Sequence, residues 1–157
     1  MKKIGFIGLG NMGSKMVLNL LKANYEVVGY DINENFTNSL VPSGLKKVSS
    51  LTDLSTDIDI LITMLPNGDI VEKVYDNIVN NFKKNTLFTD CSTIDVDKAK
   101  DLHEKCIKKA FPIIFSLGTK PQYLLSILLS LLSPKTKKLP AGTLISRFVV
   151  SEFVFLI

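Results

Sequence analysis

The chain has 157 residues and 46% of them are hydrophobic, which suits one globular domain with a buried core and is short for two. Its formal charge of +4 arises wholly after residue 110, because residues 1–110 hold 14 lysines and 14 acidic residues. The basic balance therefore does not indicate nucleic-acid binding by the body of the chain, and we expect no nucleic-acid partner.

The first half of the chain alternates apolar runs with helical patterns. A short buried strand is predicted at 4–8, a helix at 11–23 and a second strand at 25–31. A helix at 33–44, stopped by a proline and a glycine, then leads to a short strand at 46–50. The helix at 11–23 is expected to bury one apolar face, formed by Met12, Met16, Leu20 and Ala23.

The second half repeats this alternation. A helical turn at 50–55 precedes a strong strand at 57–66 and an amphipathic helix at 68–82. A strand at 86–93 is followed by a helix at 95–110, which has Asp at its start and Lys at its end, as the helix dipole favours. Apolar strands alternating with helices predict an α/β domain over 1–110, a Rossmann-type doubly wound parallel sheet covered on both faces.

A glycine loop lies between the first strand and the first helix. Gly8 permits a tight turn, Gly10 allows a pyrophosphate to approach the backbone, and Gly13 allows the helix to pack against the strand. Asp31 ends the next strand, 23 positions after Gly8, where a carboxylate accepts hydrogen bonds from ribose hydroxyls. Because that carboxylate repels a 2′-phosphate, the loop predicts NAD as cofactor and disfavours NADP.

Two later strands end in segments that face the same cleft, since ligands lie outside the carboxyl ends of a parallel sheet. The first is Met64, Leu65 and Pro66; for the first two side chains, core packing is an equal alternative to cofactor contact. The second is Asp90–Thr93, in which Ser92 and Thr93 either cap the following helix, present hydroxyls to the nicotinamide end, or do both.

The stretches GFIGLGNMGSKMVLNLL, ITMLP and DCSTID together resemble the β-hydroxyacid dehydrogenase family, in particular its 3-hydroxyisobutyrate dehydrogenases, which act in valine breakdown. The resemblance covers about residues 2–110. It implies a domain that binds NAD(P), followed by an all-helical domain that completes the active site and dimerises. It also implies that particular residues contact the cofactor, namely Gly8, Leu9, Gly10, Asn11, Met12, Gly13, Asp31, Met64, Leu65, Pro66 and Thr93.

The rest of the chain departs from that family pattern. The substrate-binding stretch of the family, rich in Ser and Gly, is replaced by FPIIFSLGTKPQ at 111–122, and no lysine lies in the family's catalytic motif. We therefore assign no catalytic residue. Asp and Asn number ten and eleven in 1–110 and are absent from 111–157, an apolar and basic tail that we expect to be poorly ordered. We hypothesise that a frameshift, a retained intron or a faulty gene model produced this tail.

The remaining candidate side chains have ordinary interpretations. His103 is expected on the polar face of a helix, and Cys91 and Cys106 form no motif typical of a metal site or a disulfide framework. We expect free thiols in a reducing compartment, and no metal. The longest apolar stretch, at 123–133, is too short to cross a bilayer, so membrane association is not expected.

The sequence supports two hypotheses of function. By resemblance, the chain belongs to an oxidoreductase that transfers a hydride from a small β-hydroxy acid, such as 3-hydroxyisobutyrate, to NAD, and this chain itself only binds the dinucleotide. Reduction of a semialdehyde or an imine is the alternative chemistry within the family. The second hypothesis is a non-catalytic nucleotide-binding module that docks on a partner through its apolar tail.

The oligomeric state stays open. The absence of an import segment predicts a cytoplasmic protein, whereas the resemblance leaves mitochondria as an alternative.

Overall fold

The structure, a computed structural model, describes residues 2–55, 57–83, 86–109, 111 and 113–115. The strands are β1 (Lys3–Ile7), β2 (Glu26–Tyr30), β3 (Lys46–Lys47), β4 (Ile60–Thr63), β5 (Leu87–Asp90) and β6 (Ile113–Phe115). The helices are α1 (Asn11–Lys22), α2 (Glu34–Leu40), α3 (Gly68–Ile78) and α4 (Val96–Lys108), with 3₁₀ turns at Val41–Ser43 and Asp53–Ser55.

All six strands are parallel and lie in the order β3-β2-β1-β4-β5-β6. The chain starts in the middle of the sheet, builds outward through β2 and β3, and then returns to the other side of β1. The strand order therefore reverses between β1 and β4, and a crevice opens there at the carboxyl ends of the strands. This topology confirms the predicted doubly wound sheet.

The helices cover both faces of the sheet, as the apolar strands require. On one face, Val17 and Leu20 of α1 and Leu40 of α2 pack in one buried cluster with side chains of β1, β2 and β4. On the other face, Tyr75 of α3 and Leu102 of α4 belong to a second buried cluster. A single sheet with two covered faces accounts for all the described residues, among which the all-helical second domain implied by the resemblance has no counterpart.

The apolar face of α1 differs from the prediction. Gly13, Val17 and Leu20 are the buried residues of this helix, whereas Met12 is 41% exposed and Ala23 is an exposed C-cap. The prediction is confirmed for Leu20, and Met16 packs partly buried against the same cluster, but the first turn contacts the sheet through Gly13 in place of Met12. A glycine carries no hydrophobic signal, although here it marks the point of closest packing. The predicted helix end is confirmed: Asn24 follows the C-cap with φ +62°, the left-handed conformation that ends many helices.

The last described strand lies beyond the predicted domain boundary at residue 110. β6 pairs in parallel with β5, and Phe111 stacks on Phe88 with ring centroids 4.9 Å apart. Ile113 and Phe115 are buried in the same cluster. The sheet therefore continues past residue 111, where the composition of the chain changes. The rest of the predicted tail lies outside the described residues.

A ladder of polar contacts joins α3 to the helix beside it, α4. Lys98 pairs with Asp69, Lys105 pairs with Asp76, and the ammonium group of Lys109 donates to Asn80 Oδ1 over 2.8 Å just beyond the two helix ends. Each pair joins residues 29 positions apart. The ladder lies on the solvent side of the helix pair, above the apolar contacts that bury Val71, Tyr75, Ala99 and Leu102.

Candidate functional site

In the glycine loop after β1, Gly8 lies close against the backbone at the ends of β2 and β4. Gly8 has φ +93°, a conformation that residues with a Cβ rarely adopt, and its N–H donates to Tyr30 O over 3.0 Å. A Cβ on Gly8 would lie 2.2 Å from Met64 O. Glycine at this position therefore lets the ends of β1, β2 and β4 meet at the crevice.

The two other glycines of the loop have contrasting surroundings. A Cβ on Gly13 would lie 1.9 Å from Gly8 O, so α1 can start against the end of β1 only because this residue is glycine. A Cβ on Gly10 would meet no atom within 4 Å in the part of the chain that the structure describes. The fold thus requires glycine at position 13, whereas position 10 faces open space at the mouth of the crevice.

The N-terminus of α1 differs from those of the other described helices. Asn33, Asn67 and Asp95 cap α2, α3 and α4 with side-chain oxygens that accept backbone N–H groups. The N-cap of α1 is Gly10, which supplies no such oxygen. The first-turn N–H groups, those of Asn11, Met12 and Gly13, are the ones that an α-helix leaves without intrahelical partners. With the helix dipole, they form a site for an anion such as a pyrophosphate.

Asp31 directly follows β2 and its carboxylate joins two loops. Oδ2 accepts the N–H of Leu9 over 2.6 Å, and Oδ1 accepts the N–H of Asn33 over 2.8 Å. Leu9 thus contributes its backbone N–H to the loop, while its side chain is fully buried. Each carboxylate oxygen keeps a further acceptor position, so the half-buried Asp31 can also bind hydroxyl groups of a ligand.

A polar cavity of about 150 Å³ adjoins Asp31 at the outer end of the crevice. Glu34 and Lys47 lie in its wall, and the ammonium group of Lys47 is held by Asn38 Oδ1 at 2.8 Å. Ile32, 92% exposed, also lines the cavity and presents an apolar surface to it. A cavity with a carboxylate, polar walls and one exposed aliphatic side chain suits the sugar and base of a nucleoside.

The predicted residues after β4 lie on the other side of the glycine loop. Met64 N–H donates to Ile7 O over 2.9 Å and continues the sheet, whereas Leu65 N–H donates to Ser92 Oγ over 2.8 Å. Pro66 is exposed and turns the chain toward α3. The end of β4 is therefore fixed between the ends of β1 and β5.

The two candidate hydroxyls in the segment after β5, those of Ser92 and Thr93, differ in exposure. Thr93 is exposed, whereas Ser92 is only 3% exposed and its hydroxyl contacts Asp90 and Leu65. Neither residue caps α4, because Asp95 Oδ1 accepts the N–H of Lys98 and occupies that position. The sequence offered two roles for Ser92 and Thr93. The first, capping α4, is performed by Asp95. The second, contact between Thr93 and the cofactor, stays a prediction.

A buried polar cluster lies beneath these strand ends, and sequence reasoning did not find it. Asp90 Oδ1 accepts the hydroxyls of Thr63 and Ser92, each over 2.7 Å. Tyr75 lies 3.2 Å from Thr63 Oγ1 and donates to it, since the single hydroxyl hydrogen of Thr63 is directed at Asp90. Burial raises the pKa of the Asp90 carboxyl, and the hydrogen bonds from Thr63 and Ser92 oppose that rise. The only sign of this cluster in the sequence is the polar residue that ends each of the two strands, Thr63 in β4 and Asp90 in β5.

Beside Met64–Pro66 and Thr93, the described residues bring no proton-transfer side chain of ordinary reactivity to the crevice. His103 lies half-buried in the middle of α4, remote in sequence from both cleft segments. Cys91 follows β5, but burial raises the pKa of its thiol far above the ordinary value, with the Asp90 charge adding to the effect. Within these residues there is also no group of three His, Cys, Asp or Glu side chains suited to a metal. No described helix is long and apolar enough to span a membrane.

Both thiols are expected to react slowly with a disulfide reagent in the folded chain. Burial raises the pKa of Cys106 to about 12, so its thiolate fraction at pH 8 falls about a thousandfold below that of a free cysteine. A raised thiol pKa means that reactivity rises with pH up to the pKa. Labelling at pH 8 with and without urea checks this: the expected result is slow reaction natively and two fast equivalents when unfolded. Fast native labelling of Cys106 would contradict it.

Comparison with known families supports the resemblance drawn from the motifs. Residues 3–115 match the family described as the NAD binding domain of 6-phosphogluconate dehydrogenase. The match ends at the last residue of β6 and therefore covers the whole described sheet. It confirms NAD as the cofactor expected from the glycine loop and Asp31.

Individual relatives agree with this family match. The chain is 39% identical to the mitochondrial 3-hydroxyisobutyrate dehydrogenase of Drosophila melanogaster, over 69% of this chain and 34% of the relative. It is 38% identical to the NAD-dependent L-serine dehydrogenase of Pseudomonas aeruginosa, over 66% of this chain and 36% of the relative. The chain thus spans about a third of the length of these curated relatives.

A solved structure of the same group has a similar fold. The structure of Mycobacterium tuberculosis 3-hydroxyisobutyrate dehydrogenase with L-serine superposes with a TM-score of 0.73 at 31% identity, covering 76% of this chain and 41% of that one. The similarity therefore concerns the sheet domain and its crevice.

Proposed function

Since the chain belongs to the family of NAD-binding domains typified by 6-phosphogluconate dehydrogenase, we propose that its crevice binds NAD in a defined orientation. In this proposal the pyrophosphate lies at the N-terminus of α1, against Gly8, Gly10 and Gly13. The adenosine ribose lies on Asp31, and the nicotinamide half extends over Met64–Pro66 and Thr93. The observation that carries the proposal is the open space in front of Gly10, beside a helix N-terminus with no side-chain cap.

The residues present fit this cofactor at each of its parts. The first-turn N–H groups of α1 suit the pyrophosphate, and the free acceptor positions of Asp31 suit two ribose hydroxyls. The cavity beyond Asp31 holds one further acid, Glu34, and one base, Lys47, whose charges offset each other, so the charge that disfavours a 2′-phosphate is that of Asp31. These features support NAD over NADP as the preferred form.

We also propose the reaction in which the domain takes part. When bound, NAD accepts a hydride, and the names of the relatives point to a small hydroxy acid as its donor, with 3-hydroxyisobutyrate the first candidate. Oxidation of a hydroxyl also needs a group that takes its proton. The described residues offer none beside Met64–Pro66 and Thr93, so we propose that residues 1–115 bind the dinucleotide without turning over the hydroxy acid.

Titration of the full chain with NADH by calorimetry tests the binding proposal, with Asp31→Ala as the informative variant. Loss of the carboxylate removes its bonds to the ribose and to Leu9, so we expect at least about tenfold weaker binding, from the worth of a hydrogen bond to a charged group. The matched control is Asp97→Asn on α4, whose carboxylate is 92% exposed and contacts Lys100. No NADH binding by the native chain, or equal binding by Asp31→Ala, would overturn the proposal.

The turnover proposal has a separate test. The native chain is incubated with NAD and 3-hydroxyisobutyrate, and formation of NADH is followed by absorbance at its characteristic wavelength. The expected result is binding without a steady rate of NADH formation. A steady rate that depends on the hydroxy acid would contradict the proposal that this chain only binds, and would support the complete oxidoreductase reaction.

A further inference from the structure

The buried polar cluster beneath β4 and β5 has one acceptor at its centre. Thr63 and Asp90 are register partners on these neighbouring strands. Asp90 Oδ1 accepts three hydrogen bonds, from the Thr63 hydroxyl, the Ser92 hydroxyl and the Ser92 N–H at 2.7, 2.7 and 3.3 Å. Asp90 Oδ2 is buried and has no hydrogen-bond partner among the described residues. One oxygen of this carboxyl therefore carries the whole network.

The network extends to the backbone of the loop after β4. The last regular bond of the β4–β5 ladder runs from Cys91 N–H to Thr63 O at 2.8 Å. The next donor on that side of β4 is Leu65 N–H, and its acceptor is Ser92 Oγ. The Ser92 side chain thus adds one further connection between the two strands, at the place where the chain turns into Met64–Pro66.

Asp90 and Ser92 act from beneath the crevice. They are 1% and 3% exposed. The hydroxyl hydrogen of Ser92 is donated to Asp90 and its oxygen accepts from Leu65. These internal bonds leave Ser92 no hydroxyl hydrogen for a ligand, and the solvent-accessible residues beside it are the half-buried Leu65 and the exposed Thr93.

We propose that Asp90 is a positioning residue for the nicotinamide half of the dinucleotide, acting through Ser92 on the peptide of Leu65. The inference rests on the proposed function, since it concerns the same bound cofactor. The adenosine half is held on the other side of β1, by Asp31 and the α1 N-terminus. The network consequently affects one half of the ligand and leaves the other half unaffected.

The test compares two ligands that differ in that half. NADH and ADP-ribose share the adenosine and pyrophosphate groups, but ADP-ribose lacks the nicotinamide. Calorimetric affinities for both are measured with the full-length native chain and with Ser92→Ala, Asp90→Ala and Asp90→Asn. For Ser92→Ala and Asp90→Ala we expect about three- to tenfold weaker NADH binding, the range of one hydrogen bond, with ADP-ribose affinity within about twofold of native.

The Asp90→Asn variant separates positioning from charge. An asparagine retains one carbonyl oxygen, which can take over all three bonds now accepted by Oδ1. We therefore expect its NADH affinity to be closer to native than that of Asp90→Ala. An equal loss of NADH affinity in both variants would indicate that the negative charge of Asp90 is needed. That result would overturn the proposal that Asp90 positions the loop through one acceptor oxygen.

Thr86→Val serves as the matched control for general loss of stability. Thr86 is another buried hydroxyl, and it donates to Ile58 O over 3.2 Å at the opposite end of the β4–β5 pair. This variant is expected to lower the urea midpoint while leaving the ratio of NADH to ADP-ribose affinity unchanged. If Asp90→Ala does not fold, Ser92→Ala decides the test, because it removes a single hydroxyl.

Three further outcomes would overturn the inference. Equal weakening of NADH and ADP-ribose by Ser92→Ala would assign the network a general structural role. Unchanged affinity for both ligands would assign it no role in binding. Binding of neither ligand by the folded native chain would overturn the proposed function itself, and is distinguished from the first two outcomes by the native titration alone.

Discussion

Replacing Gly10 with alanine is expected to remove most NADH affinity while the chain stays folded. A Cβ at this position meets no atom of the described residues within 4 Å, and alanine can adopt the backbone conformation at φ −62° and ψ −162°. The added methyl group instead occupies the space through which a pyrophosphate approaches the α1 N-terminus. We expect NADH affinity to fall at least about tenfold, which is about 1.4 kcal/mol of binding free energy.

Calorimetric titration with NADH and urea unfolding of the same Gly10→Ala preparation check this result together. The free energy of unfolding is expected to change by less than about 1 kcal/mol, because the loss of glycine flexibility and the weaker N-cap oppose each other. Native-like NADH affinity in Gly10→Ala would show that the dinucleotide does not lie against the glycine loop, and would remove the main support for the proposed orientation.

The same substitution three residues later, Gly13→Ala, is expected to destabilise the whole domain. Its Cβ would lie 1.9 Å from Gly8 O and 3.2 Å from the Phe6 ring. Because the first contact is with backbone, no side-chain rotation relieves it, and α1 must move away from β1. Overpacking of this kind costs about 3 kcal/mol or more, which exceeds the helix propensity gained by alanine, about 1 kcal/mol.

Urea unfolding followed by circular dichroism measures the effect of Gly13→Ala, with Gly10→Ala as the matched control. The expected result is a clearly lower midpoint, or an unfolded chain, for Gly13→Ala beside a near-native midpoint for Gly10→Ala. An unchanged midpoint in Gly13→Ala would contradict the close approach of α1 to the end of β1. The pair thus separates the glycine that the fold requires from the glycine that the ligand requires.

The parts of the site encoded in local sequence were predictable. Gly8, Gly10 and Gly13 have a fixed spacing after an apolar run, and Asp31 lies at the end of the next run. Their geometry follows from one strand–turn–helix unit and its neighbour. The same locality explains why the helices predicted at 11–23 and 33–44 end where they do, beside Asn24 and Gly44, which both adopt positive φ.

Other features depend on pairings that no local pattern encodes. The network around Asp90 requires β4 and β5 to pair in the register that places Thr63 beside it. β6 is three residues long and lies in the apolar segment where the composition has already changed, so no alternation marks it as a strand. The predicted strand at 57–66 was longer than β4, since Asp57 adopts φ +69° and pairs with Lys83 before the sheet begins, and Pro66 has no N–H for a ladder bond.

The contacts between α3 and α4 hold the two helices together and also fix how far one helix lies along the other. Asp69, Asp76 and Asn80 meet partners at a constant offset along the chain, so a slide of one helix by a single turn would break all three contacts together. Energies of contacts that share two rigid elements are coupled, and each pair restricts the geometry of the other two. Because α3 and α4 follow directly from the loops that contain Pro66 and Thr93, this surface ladder adds to the β4–β5 pairing and to the bond between Leu65 and Ser92, which hold the two loops together.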